Sequence, residues 1–370
     1  MSRFWFPYTL CVLVVGVHSP ARAACTMHID GNDLFIDGCN VHITNGTGRT
    51  DAKSNGLGNL IVGYNESRGA GADRRGGSHN IVVGSQNNFT SIGGVVVGFK
   101  NETQGRYASV SGGSENLASG YYASVCGGRL NAATGDYASV SGGQYGTASG
   151  GASGVTGGWA NASTASFATA SGGAEATASG DYASVSGGLA NTASGNWSAV
   201  SGGIANQASG YKASVSGGFS NHADGDATSV TGGDTNRATG SGSAVSGGSS
   251  NVAGGESSSV TGGLQNSTSG PGATVSGGWL NQANELAAAV CGGLANLAGP
   301  GTPASVGSLD QGEASTVSGG YRNRALGPAS SVSGGTANTA SGATSSVSGG
   351  NTRAAPGTDD WAAGSLLEQQ

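Results

Sequence analysis

The sequence predicts an all-β fold, a parallel β-roll (β-solenoid) in which each coil has 15 residues and contributes two short strands. Three observations predict it. A valine recurs every 15 residues, a glycine pair follows each valine after one small residue, and bulky or charged side chains are rare in the repeat. The unit is typified by "ASVSGG" at Ala108–Gly113, and 12 uninterrupted coils fill Ser114–Gly293. A fixed period over so long a run is typical of a repeat architecture.

Composition excludes the other glycine-rich classes. The chain has 370 residues, 73 of them glycine but only 7 proline, with no triplet period, so it is not collagen. Only 10% of residues are charged and valine recurs on a strict spacing, whereas disordered chains are usually highly charged and poor in β-branched residues. Disorder is the alternative to the solenoid. A helix is excluded because paired glycines and β-branched valine oppose it in every repeat.

The positions of one coil can be assigned by numbering the recurring valine as position 12. Across the 12 coils, positions 14 and 15 are always glycine, and only Ala170 replaces the valine. Positions 3, 5 and 7 are asparagine, alanine and glycine in ten coils each. Because side chains alternate along a strand, positions 10 and 12 should face the inside of the roll, opposite the alanine of position 5 on a second strand. We expect glycine, and asparagine after it, to supply the positive φ values of the corners, and asparagine to stack in a ladder.

The first residues predict an exported protein. Residues 1–23 carry Arg3, an apolar run and "ARA" ending at Ala23, the pattern of a cleaved secretory signal. The apolar run is too short to span a membrane, and we expect no transmembrane segment elsewhere. Lipidation at Cys25 is the alternative, which Arg22 disfavours. A net charge of -6 argues against nucleic acid as a partner. The expected location is secreted or cell-surface.

Residues 24–58 are expected to cap the N-terminal end with strands of a 7/14-residue period. Three alternating segments end in Ile29, Ile36 and Ile43. Cys25 and Cys39 lie 14 residues apart, which would place them at one position on successive stacked coils, about 4.8 Å apart. That separation suits a disulfide, so we predict a Cys25–Cys39 bridge in an oxidising compartment. Two free thiols are the alternative.

The remaining chain divides by the regularity of its repeat. Residues 59–113 form 14/15-residue coils with an inserted loop, and Arg68–Gly77 within that loop has the glycines and basic residues of an anion site but no Walker lysine. Residues 114–350 are the 15-residue β-roll repeats. The register slips between Leu294 and Gly320, where we expect 27 residues to stand for two coils. Residues 351–370 are expected to form a C-terminal cap.

Two rows of large apolar side chains are candidates for an interface or a ligand surface. They recur at position 1 and near position 9, and we expect them to support side-by-side association of several copies. Corner packing on a monomer is the alternative. The position 1 row contains Trp159, Leu189, Ile204, Phe219, Leu264, Trp279, Leu294 and Tyr321, and the position 9 row contains Tyr122, Tyr137, Phe167, Tyr182 and Trp197. Cys126 and Cys291 lie 11 coils apart, so they are expected to be small substitutes for serine.

The sequence contains no pattern of catalytic or metal-binding residues. The four histidines after the signal, His28, His42, His79 and His222, have no metal-ligand spacing. No carboxylate recurs in register, and the calcium-binding nonapeptide lacks its aspartate. We therefore expect a non-enzymatic protein with no cofactor and no metal.

The repeats resemble the heads of trimeric autotransporter adhesins, the YadA-like heads. The segments "NLIVGYN", "NIVVGSQN" and "ASVSGG" followed by asparagine carry the likeness, which covers about residues 59–350. The resemblance implies a left-handed parallel β-roll, a trimer, and attachment at the cell surface to a host matrix protein or glycan. A heptad stalk and membrane-barrel strands do not follow the repeats, so we expect the chain not to be a complete autotransporter.

The expected function is attachment, or an extended structural element, at the cell surface. Two alternatives remain open. An ice-binding solenoid would use a regular threonine row, but position 13 mixes serine, threonine and cysteine. A passive surface or fibre spacer would differ from an adhesin only in having no ligand.

Overall fold

A computed structural model describes residues 25–300 and 313–364. The described residues divide into two compact units, with the boundary between Ile43 and Thr44. The described residues form strands, turns and bends and contain no helix. The all-β fold predicted from the repeat is confirmed.

The first unit is an antiparallel hairpin, which corrects the expected stack of N-terminal strands. Strand β1 (Thr26–Asp30) pairs with β2 (Asp33–Asp37), and a two-residue turn with Gly31 at φ 59° joins them. Glycine at the first position of such a turn is typical of hairpins. Cys25 and Cys39 form a disulfide with Cα atoms 5.1 Å apart, because they flank the two open ends of the hairpin. The third expected segment, ending in Ile43, forms no strand.

The second unit is a parallel β-solenoid of two facing sheets. The sheet named here the valine sheet carries position 12, and its strands are β3 (Leu60–Val62), β4 (Ile81–Ser85), β6 (Val95–Phe99), β8 (Ser109–Val110), β10 (Ser124–Val125), β12 (Ser139–Val140), β14 (Gly154–Val155), β16 (Thr169–Ala170), β18 (Ser184–Val185), β20 (Ala199–Val200), β22 (Ser214–Val215), β24 (Ser229–Val230), β26 (Ala244–Val245), β28 (Ser259–Val260), β30 (Thr274–Val275), β32 (Ala289–Val290), β34 (Thr316–Val317), β36 (Ser331–Val332), β38 (Ser346–Val347) and β40 (Trp361–Ala362). The alanine sheet carries position 5, and its strands are β5 (Asn88–Phe89), β7 (Glu102–Thr103), β9 (Leu117–Ala118), β11 (Ala132–Ala133), β13 (Thr147–Ala148), β15 (Ala162–Ser163), β17 (Thr177–Ala178), β19 (Thr192–Ala193), β21 (Gln207–Ala208), β23 (His222–Ala223), β25 (Arg237–Ala238), β27 (Val252–Ala253), β29 (Ser267–Thr268), β31 (Gln282–Ala283), β33 (Leu297–Ala298), β35 (Arg324–Ala325), β37 (Thr339–Ala340) and β39 (Ala354–Ala355).

Each strand pairs in register with the equivalent strand of the next coil. Val125 faces Val140, and Ala133 faces Ala148. A third, shorter parallel contact joins the position 1 residues of successive coils, such as Ile204 and Phe219, and the sequence did not predict it. The solenoid has about 18 turns. Both predicted strands per coil are confirmed.

Register across the two irregular segments differs from expectation. Val290 pairs directly with Val317, so the 27-residue step between them makes one coil with 12 extra residues rather than two coils. Residues 301–312 of this step lie outside the described chain. Leu60 likewise pairs directly with Ile81, so the 21-residue step there is one coil with a loop. Parallel pairing constrains the strands, whereas a corner accepts added length at little cost.

The core is as narrow as the repeat predicts. Val125, Ala118 and Ala123, at positions 12, 5 and 10, have no exposed surface, and the same holds within 1% for most of their counterparts along the solenoid. Because the two sheets lie so close, only these small side chains lie between them in the regular coils, while Phe89, 2% exposed, is buried in an earlier, irregular coil. The predicted inward positions are confirmed.

The corners are built differently from the expectation. The recurring left-handed residues stand at positions 2, 9 and 15, as in Leu130 (φ 57°), Tyr137 (φ 60°) and Gly143 (φ 89°). Of these three left-handed positions, only position 15 is always glycine. A side chain at Gly143 would overlap the carbonyl oxygen of Gly158 in the next coil. Asparagine of position 3 is not a left-handed corner residue in these coils.

Asparagine instead forms the predicted ladder inside one corner. Asn116 is 1% exposed, and its Nδ2 donates to the carbonyl oxygens of Gly112 (3.1 Å) and Gly128 (3.0 Å). Its Oδ1 accepts a hydrogen bond from the backbone N–H of Asn131 at 3.0 Å. Each asparagine side chain thus bonds to glycine carbonyls of two coils and to the backbone N–H of the next asparagine. These bonds satisfy the buried side-chain amide.

The C-terminal segment continues the solenoid instead of ending it. Strands β39 and β40 pair in register with β37 and β38. Trp361 and Ala362 occupy positions 11 and 12, although the sequence here no longer matches the repeat. The segment expected as a cap is therefore a further, atypical coil as far as residue 364.

Candidate functional site

One corner of the solenoid carries a stack of aromatic rings at position 9. We call it the aromatic stack, and its members are Tyr107, Tyr122, Tyr137, Phe167, Tyr182 and Trp197. Ring centroids of Tyr107 and Tyr122 lie 5.1 Å apart, and those of Tyr122 and Tyr137 lie 5.4 Å apart, with interplanar angles below 20°. Phe167, Tyr182 and Trp197 follow at 4.7 and 4.1 Å with angles of 8° and 5°. Offset stacking at these distances is attractive.

The backbone places these rings in line. Position 9 is left-handed in every such coil, and its N–H donates to the position 8 carbonyl of the preceding coil, as Tyr137 does to Tyr121 at 2.7 Å. Because the same conformation and the same hydrogen bond recur, successive Cβ atoms leave the corner in the same direction. The rings therefore repeat at the coil spacing, about 4.8 Å.

The stack is interrupted once, at Ala152. Tyr122 and Tyr182, with a ring on both sides, are 45% and 44% exposed. Tyr137 and Phe167, which border Ala152, are 62% and 51% exposed, because each has one uncovered ring face. The backbone hydrogen bonds continue across the break. The N–H of Ala152 donates to the carbonyl oxygen of Asp136, and the N–H of Phe167 donates to the carbonyl oxygen of Gly151.

Position 8 lines the same corner with polar groups. The carboxylate of Asp136 accepts from the backbone N–H of Tyr121 at 2.9 Å, and that of Asp181 accepts from Ser166 at 3.1 Å. The ring of Tyr121 packs edge-on against Tyr122 at 4.5 Å. A side-chain hydrogen bond with Tyr121 raises the pKa of the Tyr122 hydroxyl above its ordinary value.

The second row lies at position 1, at the other corner, and we call it the apolar corner row. Seven of its members are exposed: Trp159 46%, Leu189 44%, Ile204 45%, Phe219 51%, Leu264 39%, Trp279 47% and Tyr321 37%. The position 1 residues of successive coils form a continuous series of parallel bridges along the solenoid axis, in which Ala174, Asp234 and Ser249 interrupt the row. The two candidate rows are therefore not brought together into one site.

Several aromatic residues of these corners were not singled out from the sequence. Tyr107 begins the aromatic stack, Tyr121 and Tyr211 stand at position 8, and Tyr145 at position 2 packs edge-on against Trp159 at 6.3 Å. Aligning every coil at positions 2, 8 and 9, including the coil before Ser114, would have found them. Position 8 also carries Asp136, Asp181 and Asp226 at intervals of three coils, so the expectation that no carboxylate recurs in register is wrong.

The basic segment Arg68–Gly77 does not present a free anion site. Arg68 is largely covered, donates to the carbonyl oxygens of Gln86 (2.6 Å) and Asn101 (2.8 Å), and lies 3.3 Å from a Glu102 carboxylate oxygen. Burial lowers the pKa of Arg68 below its usual value, although Glu102 acts in the opposite sense. Arg74 contacts the same carboxylate at 3.6 Å. These contacts fasten the inserted loop to the solenoid.

Residues 25–300 and 313–364 contain no group of three or more His, Cys, Asp or Glu side chains placed to hold a metal ion. Within the same residues, no helix long and apolar enough to cross a bilayer is found. Cys126 and Cys291 are free and exposed. No protein-family model matches the chain, and no curated protein shows significant similarity to it.

Proposed function

We propose that this chain is a secreted or cell-surface, non-enzymatic β-roll repeat protein that acts in attachment or as an extended structural element, with several copies side by side. One observation carries the proposal: the apolar corner row keeps large side chains exposed over many coils. Leu189, Ile204 and Phe219 follow one another without a polar residue between them. Extended apolar surface of this kind marks interaction sites.

The glycine of position 14 supports close association. It is glycine in all 12 regular coils, yet a Cβ added to Gly127, Gly217 or Gly277 would meet nothing within 4 Å. None of the three has a positive φ. Because the single chain does not require glycine there, we infer that a neighbouring molecule approaches this corner, next to the apolar row.

The oligomer is tested by sedimentation equilibrium of the processed chain, without residues 1–23. We expect an assembly, and we expect Ile204→Ser with Phe219→Ser to reduce it. The matched control is Trp197→Ser at the other corner, which should leave the assembly intact. A wild-type monomer at micromolar concentration would refute side-by-side association.

Attachment is tested separately from assembly. Immobilised matrix proteins and a glycan array are exposed to the processed chain, and retention on a defined component is the expected result. Retention on none of them would favour the passive spacer instead.

One observation favours ice binding as a second candidate. Positions 11 and 13 lie on the outward face of the valine sheet, and both are rich in serine and threonine, as in Thr274 and Thr261. Successive hydroxyls in each row repeat about every 4.8 Å. A thermal-hysteresis measurement decides this candidate, because an ice-binding face lowers the freezing point without shifting the melting point.

A further inference from the structure

The break in the aromatic stack forms a slot bounded by two ring faces. Tyr137 and Phe167 stand two coils apart, which separates their ring planes by about 10 Å along the axis. Ala152 and Gly151 form the floor, and both are exposed. An ideal Cβ on Gly151 would contact only the Ser166 hydroxyl, at 3.9 Å, so the floor is nearly bare.

Polar groups at the rim of this slot have unused hydrogen-bonding capacity. In neighbouring coils the N–H of position 8 points along the axis and donates to the next position 8 side chain, as Tyr121 does to Asp136. Gly151 has no side chain to accept the N–H of Asp136. Within the described residues, neither the N–H of Asp136 nor that of Gly151 donates a hydrogen bond. The slot therefore offers two apolar walls and at least two backbone donors beside the Asp136 carboxylate.

We propose that this slot binds one pyranose ring of a neutral glycan, held between the faces of Tyr137 and Phe167. The proposal rests on the attachment function proposed above, and it names the ligand class of that function. A pyranose ring presents C–H groups on its faces and hydroxyl groups around its perimeter. The C–H faces match the two aromatic walls, and the perimeter hydroxyls match the backbone donors and the carboxylate.

The polar rim of the slot distinguishes this occupant from a flat aromatic ring. A two-coil gap elsewhere in the stack holds an aromatic side chain, since Tyr122 lies between Tyr107 and Tyr137 with centroid distances of 5.1 and 5.4 Å. Width alone therefore admits either ring. An apolar aromatic ring would leave the N–H groups of Asp136 and Gly151 without acceptors, whereas a pyranose ring brings hydroxyl groups to them. The nearby carboxylates of Asp136 and Asp181 disfavour an anionic sugar.

The decisive variant is Ala152→Phe, which supplies the missing ring and fills the slot. It should fold, because position 9 carries an aromatic ring in the coils on both sides. The control is Ala227→Tyr, which adds a ring at position 9 where Lys212 and Gly242 are the neighbours. Tyr137→Ala and Phe167→Ala each remove one wall.

Binding is measured by saturation-transfer NMR and calorimetry with cellobiose, lactose and di-N-acetylchitobiose, and with indole as the flat probe. We expect at least one saccharide to bind, with no detectable binding to Ala152→Phe and unchanged binding to Ala227→Tyr. Each wall variant should weaken binding about tenfold, the loss of one stacking contact. Saccharide binding that survives Ala152→Phe, indole binding alone, or no response to any probe would overturn the proposal.

The same variants separate this proposal from the attachment function. If Ala152→Phe attaches to matrix components or to the array as well as wild type, attachment stands and the slot proposal falls. If the saccharides bind in the slot but the wild-type chain is retained on no surface, the slot stands and the attachment function falls.

Discussion

The side-chain oxygen of Asn206 accepts a hydrogen bond from the backbone N–H of Asn221, one coil later, at 2.9 Å. The same side chain donates to the carbonyls of Gly202 and Gly218 at 2.9 and 3.0 Å. Both asparagines are at most 1% exposed. One buried amide thus joins three neighbouring segments, which explains why asparagine follows the glycine pair in nearly every coil.

We expect Asn206→Ala to lower the free energy of unfolding by about 2–4 kcal/mol, because it removes these bonds and leaves the buried N–H of Asn221 without a partner. The measurement is urea unfolding followed by circular dichroism. The control is Gln207→Ala, one residue away and outside the ladder. The variant should still fold, since Gly146 and Ala176 already interrupt the ladder naturally. Equal losses in the two variants would contradict a stabilising ladder.

The second prediction concerns the size of the side chains that the narrow core accepts. Val200 is 1% exposed between the two sheets, and we expect Val200→Leu to destabilise the solenoid by about 1–3 kcal/mol despite its greater apolar surface. The control is Val252→Leu, because Val252 faces outward and is 36% exposed. The comparison uses the same unfolding experiment. If Val200→Leu were neutral, the space between the sheets would be larger than these side chains require.

Much of the coil was predictable from the sequence because each buried position selects the same residue type in every repeat. Val125, Ala118 and Asn116 are each demanded by one buried environment, so the same residue type returns every 15 positions. The left-handed residues at positions 2 and 9 were not predictable, because hydrogen bonds between coils impose the conformation on residues as different as Leu130, Tyr137 and their counterparts. No residue type marks them.

The N-terminal hairpin was missed for a different reason. A 7-residue period fits both stacked strands and two five-residue strands joined by a two-residue turn. Thr26–Asp30 and Asp33–Asp37 satisfy the second geometry, and the Cys25–Cys39 spacing fits both. The slot at Ala152 was also beyond the sequence, because it is defined by the rings that stack on either side of it.

The disulfide makes a third prediction. After removal of residues 1–23 four cysteines remain, and the structure leaves Cys126 and Cys291 free. Alkylation of the unfolded, non-reduced protein should therefore add two labels, rising to four after reduction, as read by intact mass. Two labels on Cys126 and Cys291 in peptide maps would identify the bridged pair. Four labels without reduction would contradict the bridge.

The two kinds of glycine provide the last prediction. A Cβ at Gly210, position 7, would overlap the carbonyl oxygen of Gly225, whereas a Cβ at Gly217, position 14, would meet nothing within 4 Å. We expect Gly210→Ala to destabilise each chain, because the backbone of two coils must separate to admit the methyl group. Gly217→Ala should leave the unfolding of an isolated chain nearly unchanged.

The two glycine variants also distinguish glycines needed for the fold of one chain from glycines needed for contact between chains. If a neighbouring copy approaches the position 14 corner, Gly217→Ala should weaken assembly in sedimentation equilibrium while its unfolding at dilute, dissociating concentrations stays like wild type. Gly210→Ala should instead lower chain stability at every concentration. A Gly217→Ala variant that assembles as wild type would show that glycine at position 14 does not serve the contact between copies, and the proposed association would then depend on the apolar corner row alone.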